Sequence, residues 1–138
     1  MPFVDHDGLR FYYETAGPPT APPLLIISGL GDYTAKCAWQ MPALAEEFFV
    51  ITFDNRGAGR SAAPAGRYPL RAMADDAAAI LSAVGIASAH VFGFSMGGMI
   101  ALNLALRHSA RVRRLVLGCT TAGGRLFAHP SQQVLAAL

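Results

Sequence analysis

The chain has 138 residues, enough for one domain with a real core and too few for two. Hydrophobic residues make up 53% and charged residues 14%, which excludes disorder and implies extensive burial. Eleven Lys and Arg against nine Asp and Glu leave +2, too balanced a charge for a nucleic-acid binder; the one basic cluster, Arg111, Arg113 and Arg114, reads as a solvated helix-to-strand loop.

The chain opens on a hairpin: Phe3 to His6 and Leu9 to Glu14 flank Asp7-Gly8, a two-residue turn signal. Gly17 to Pro23, with four prolines, is a surface linker. Leu24 to Ile27 is a continuous apolar run, the mark of a strand buried on both faces. It leads into the glycine-rich loop Ser28-Gly29-Leu30-Gly31-Asp32. Pro42 suits the first turn of a short helix running through Glu47. Phe49 to Phe53 is the next buried strand, followed by Asp54-Asn55-Arg56-Gly57-Ala58-Gly59-Arg60-Ser61 and a Pro/Ala/Gly loop to Pro69. Leu70, Met73, Ala77, Ile80, Leu81 and Val84 fall at helical spacing, with Asp75, Asp76 and Ser82 off that face, and Gly85 stops the helix. Ala89 to Phe94 is a strand. Gly97 to Arg107 is a helix with almost no polar face, expected to be buried, and Val112 to Leu117 is a sixth strand. Thr120 to Gly124 is a loop, and Pro130 to Leu138 again has helical spacing. Strands alternating with helices after a hairpin predict an α/β fold with a mainly parallel sheet.

Cys37 and Cys119 make neither a disulfide framework nor a metal-ligand spacing, and no carboxylate or histidine cluster would hold a metal. No cofactor is expected. The opening Met-Pro-Phe-Val-Asp-His-Asp lacks the profile of a signal peptide, and no apolar run approaches the ~18 residues of a membrane span. A soluble, cytoplasmic protein without membrane partners is the expectation.

The chemistry centres on Val91 to Gly98, in which Gly93-Phe94-Ser95-Met96-Gly97 fits G-x-S-x-G. That pattern is a nucleophile elbow: a strained strand-to-helix turn that lifts a serine hydroxyl above the end of a strand. The flanking glycines let strand and helix approach closely. A serine nucleophile needs a general base, usually a histidine oriented by a carboxylate, and N–H donors for the oxyanion. One donor is expected at Met96, the residue after the nucleophile, where the N–H starts a helix. The other is expected in the earlier glycine loop, at Leu30 between two glycines. Gly57-Ala58-Gly59-Arg60-Ser61-Ala62 also matches a dinucleotide fingerprint, but Pro64, Gly66 and Pro69 follow where a helix should open.

Ser28-Gly29-Leu30-Gly31, Asp54 to Ser61 and Gly93 to Gly98 occur in an order that resembles the α/β-hydrolase superfamily, in particular its lactonase, esterase and haloperoxidase-like branch. The resemblance covers essentially all of the chain. It implies Ser95 as nucleophile, Leu30 and Met96 as oxyanion donors, and the Asp54 to Ser61 loop as a structural brace whose charges are not catalytic. Many relatives carry His where this chain has Ser28, a loop-shaping change.

The family order places an Asp or Glu and then a His after the nucleophile. No Asp or Glu follows Ser95, and the only later histidines are His108 and His129. His108 should cap the far end of the helix that starts at the elbow, about 15 Å away by helical rise, facing solvent or backbone carbonyls. His129 follows the loop after the sixth strand and is expected on the catalytic side of the sheet, which leaves it a candidate base by distance, although no carboxylate partner is in view. His90 begins its strand at the end away from Ser95, and His6 sits by the hairpin. The expectation is therefore an α/β-hydrolase core truncated after its sixth strand. Residues 1–124 would be the N-terminal part of the core, and 125–138 the start of a lid. The missing part would be C-terminal and would supply acid and base.

The expected function of the parent is hydrolysis of a small ester, lactone or similar acyl substrate, with the 138 residues nearly inactive alone. Perhydrolase or carbon–carbon hydrolase chemistry would use the same visible residues, whereas epoxide- and haloalkane-cleaving relatives use a carboxylate at the elbow. The alternative is a binding or receptor-like protein that keeps the fold without turnover. The sixth strand would be an open apolar edge inviting self-association.

Overall fold

The computed structural model describes residues 2–123, without the side chains of residues 37–39. The expected lid segment and His129 lie outside the described residues. Six strands form one sheet: β1 (Phe3–His6), β2 (Leu9–Ala16), β3 (Pro23–Ile27), β4 (Phe49–Phe53), β5 (Ala89–Phe94) and β6 (Val112–Gly118). Their spatial order is β1-β2-β4-β3-β5-β6. The hairpin β1–β2 and the pair β2–β4 are antiparallel, while β4, β3, β5 and β6 run parallel. The fold is thus the expected α/β arrangement with an antiparallel start.

Among the described residues three α-helices flank the sheet: α1 (Met41–Ala45), α2 (Leu70–Ala83) and α3 (Met96–Arg107). A 3-10 helix, Thr34–Trp39, precedes α1, whose first turn carries the proline the sequence placed there. Every residue of β3 is buried, because both faces of the parallel sheet are covered near its centre. Alternation sends Leu25 and Ile27 to one face, among Ile51, Phe53, Met73, Ile80 and Leu81 under α2 and α3. Leu24 and Ile26 go to the other face with Val50, against Met41, Leu44 and Phe48. Each such Leu or Ile withdrawn from water contributes roughly 1.5–3 kcal/mol.

One expectation needs correction. The apolar α3 is buried on one face only: Gly97, Gly98, Ile100, Ala101 and Leu104 are covered, whereas Leu106 is 83% exposed. Only that face meets the sheet and α2. In α2, Asp76, which the helical spacing sets off the apolar face, is nevertheless only 1% exposed. It is tolerated there because Arg56 grips it with two hydrogen bonds, Nε to Oδ2 at 2.7 Å and Nη2 to Oδ1 at 2.8 Å.

Candidate active site

β5 ends at Phe94 and α3 begins at Met96, so Ser95 alone makes the turn between strand and helix. Its backbone has φ 53° and ψ −126°, a left-handed conformation for a residue with a Cβ. Serine at a helix N-cap ordinarily accepts an N–H from the first turn through its hydroxyl. Here the twist turns the side chain away: it makes no capping hydrogen bond and Ser95 is exposed. The hydroxyl is thereby kept for something other than holding the helix. The Met96 N–H, first of α3, belongs to the group of helix donors without an intrahelical acceptor, at the positive end of the helix dipole.

The backbone around Ser95 is tied down on both sides. Its N–H donates to the Gly118 carbonyl at 2.9 Å. Its carbonyl accepts from the Gly98 N–H at 3.0 Å and from the Thr120 hydroxyl at 2.6 Å. The exit of β6 therefore grips the elbow from the side.

The glycine-rich loop after β3 passes next to the serine. A Cβ on Gly29 would lie 3.3 Å from the Ser95 Cβ, and Leu30 follows with its side chain 81% exposed. The close packing of loop and helix depends on Gly97, where a Cβ would collide with the Ile27 carbonyl oxygen and stand 2.6 Å from that of Ser28. The structure thus brings Leu30, Ser95 and Met96 to one end of the parallel strands.

The Asp54 to Ser61 segment braces this end. Asp54 is fully buried. Its Oδ1 accepts the Thr34 N–H at 2.6 Å and its Oδ2 the Arg60 N–H at 2.8 Å, so both oxygens serve backbone donors rather than a histidine. Asn55 Nδ2 donates to the Ser28 carbonyl at 3.0 Å, fixing the glycine loop from behind. Ser61 Oγ donates to the Asp54 carbonyl and accepts the Tyr12 N–H, tying the loop to β2. No helix opens until Leu70, so the dinucleotide reading of Gly57 to Ala62 has no structural counterpart.

Among the described residues, the histidines lie elsewhere. His108 follows the last residue of α3, and its Nε2 lies 2.6 Å from Asp75 Oδ1. This corrects the expected solvent or carbonyl contact: α2 presents a carboxylate there, also held by Arg107. Burial pushes the Asp75 carboxyl up, but the hydrogen bonds from His108 and Arg107 outweigh it and hold it below its ordinary range. His6 Nε2 is 3.9 Å from Asp76, and His90 packs edge-on to Phe48. No group of three His, Cys, Asp or Glu suited to a metal ion occurs among the described residues, nor is any helix there long and apolar enough to cross a membrane. Sequence reasoning missed the Thr120 contact and the Arg56–Asp76 pair; the one signal for the former was the second glycine, Gly98.

Residues 22–135 match the α/β-hydrolase fold family. The chain is 45% identical over 114 residues to a protein of Caulobacter vibrioides named "Putative carbamate hydrolase RutD", covering 80% of this chain and 42% of that one. Among solved structures it is similar to the enol-lactonase from Burkholderia xenovorans LB400, with 33% identity and a TM-score of 0.84 over 88% of this chain and 47% of the other. A hydrolase from Pseudomonas aeruginosa PA01 superimposes with a TM-score of 0.85 at 32% identity, over 98% of this chain and 50% of the other. The chain therefore spans half or less of the length of these relatives. With the elbow, the glycine loop and the sheet order in place, the chain belongs to the α/β-hydrolase fold family.

Proposed function

We propose that this chain carries the nucleophile half of a serine hydrolase acting on a small ester, lactone, carbamate or similar acyl substrate. The observation that carries the reading is Ser95 itself: a serine in a left-handed turn at a helix N-terminus, exposed and not used as a cap. In this reading its Oγ attacks the substrate carbonyl carbon and gives its proton to a histidine. The oxyanion is held by the N–H groups of Leu30 and Met96. The leaving group departs with that proton, and water then releases the acyl group from Ser95. The names of the relatives, a carbamate hydrolase and an enol-lactonase, support a small acyl substrate.

The acid and base are assigned to sequence beyond these 138 residues. No Asp or Glu follows Ser95, and His108 is committed to Asp75 beyond the far end of α3. The isolated chain is accordingly read as nearly inactive, since loss of the triad partners costs on the order of a millionfold in turnover. It is also read as prone to self-association along β6, the outer strand of the sheet among the described residues, where Val116 and Leu117 are exposed. The protein is assigned to the cytoplasm.

A fluorophosphonate probe on the full-length protein tests the reading. Labelling at Ser95 that disappears in Ser95→Ala is the expected result. A folded full-length protein that binds acyl ligands but does not label would be a binding protein on a hydrolase fold. An isolated chain that hydrolyses an activated ester at enzyme-like rates through Ser95 would overturn the assignment of acid and base.

A further inference from the structure

We infer that Thr120 is a positioning residue for the nucleophile, acting through the Ser95 backbone; the inference rests on the reading of Ser95 as nucleophile. Ser95 holds φ 53° with a Cβ, and such a conformation persists only where its surroundings over-determine it. Two of the hydrogen bonds that do so are local, from the Gly98 N–H at 3.0 Å and the longer one from the Met99 N–H at 3.4 Å, both to the Ser95 carbonyl. The other two come from 23 and 25 residues away in sequence. Gly118 accepts the Ser95 N–H, and the Thr120 hydroxyl donates to the Ser95 carbonyl at 2.6 Å, the shortest of the four. Together they clamp the peptide groups on both sides of the nucleophile to the end of β6.

Gly98 is built around the same contact. A Cβ there would stand 2.5 to 2.6 Å from Thr120 Cγ2, Cβ and Oγ1, so the second glycine of Gly97-Gly98 leaves room for the threonine. The Ser95 carbonyl is also the group from which α3 begins. It shares one planar peptide group with the Met96 N–H, so a donor on the carbonyl sets the direction of that N–H as well. Thr120 thus positions both the nucleophile and one oxyanion donor without touching substrate. Losing it leaves the local turn intact but frees the elbow to rotate, so the ground-state site still binds while the attack geometry is spread over several orientations.

The test compares Thr120→Val, which keeps the shape and removes the donor, with Thr120→Ser, which keeps the donor, in the full-length protein. Hydrolysis of an activated ester is followed with thermal melting of each variant. For Thr120→Val, kcat is expected to fall roughly 5- to 20-fold with KM nearly unchanged. Thr120→Ser is expected to restore most of kcat, although it packs less well than valine. Equal kcat in Thr120→Val and wild type, with Ser95→Ala inactive, would overturn the role of Thr120 and leave the nucleophile intact. So would a loss that tracks melting temperature in both variants, which is what a packing role alone predicts. If Thr120→Val does not fold, Gly98→Ala, which pushes the hydroxyl off the carbonyl, must show the same loss in kcat at constant KM; an unchanged kcat there counts against the clamp. Full activity in Ser95→Ala would overturn both readings together.

Discussion

Ser95 occupies a backbone region that costs a residue with a Cβ on the order of 1–3 kcal/mol, and the surrounding contacts are what keep it there. Two residues on, Gly97 lets the start of α3 approach the end of β3. A Cβ at that position would meet two backbone carbonyl oxygens at the end of β3, neither of which can swing aside like a side chain. Gly97→Ala is therefore expected to destabilise the fold by about 1–3 kcal/mol, as overpacking does, and to separate the glycine loop from the elbow. Urea unfolding gives the first quantity, and the rate of ester hydrolysis by the full-length variant reports the second. The elbow was legible in the sequence because its requirements are local: a serine between glycines, after an apolar strand and before a helix. Thr120 was not legible, because a hydroxyl 25 residues away announces its partner by no spacing rule.

At the scale of elements, the parallel strands and their helices followed from period and punctuation, and their limits moved by only a residue or two. What periodicity could not supply was the ionic pairing of α2. It set Asp75 and Asp76 off the apolar face, yet Asp76 is buried against Arg56, which comes from the loop after β4. Burial of a charge is decided by a partner distant in sequence, so a helical wheel cannot report it. Asp76→Ala would leave Arg56, itself 10% exposed, without its carboxylate, and is expected to cost about 3–5 kcal/mol in denaturant unfolding. Asp75 answers to pH. Its carboxyl lies below its unfolded value of about 3.9, so its contribution is complete above that value and disappears as the pH falls through the folded one. Thermal melting should accordingly show wild type above Asp75→Asn at pH 7, with the gap closing as the pH is lowered below about 4. A gap independent of pH would mean that the ionised form of Asp75 is not what the His108 and Arg107 contacts stabilise.

For the whole molecule, the sheet order places everything of chemical interest at one end of the parallel strands: the glycine loop after β3, the brace after β4, the elbow after β5 and the clamp after β6. The face of the sheet that carries Leu24 and Ile26 holds a groove of about 1000 Å³ lined by Leu24, Leu44, Phe48, His90, Phe92 and Val116, beside β6, the outer strand among the described residues. Unpaired strand edges next to apolar surface recruit other strands. Light scattering of the isolated 138 residues is expected to give a mass above that of one chain, rising with concentration; a clean monomer would contradict this.

Ser95, as the proposed nucleophile, should carry the acyl group of a covalent intermediate. Full-length protein turning over p-nitrophenyl acetate can be quenched in acid and its peptides weighed. An acetyl group is expected on the peptide containing Ser95, absent in Ser95→Ala together with turnover. Undiminished turnover in Ser95→Ala, or an acetyl group found only on another residue, would contradict it.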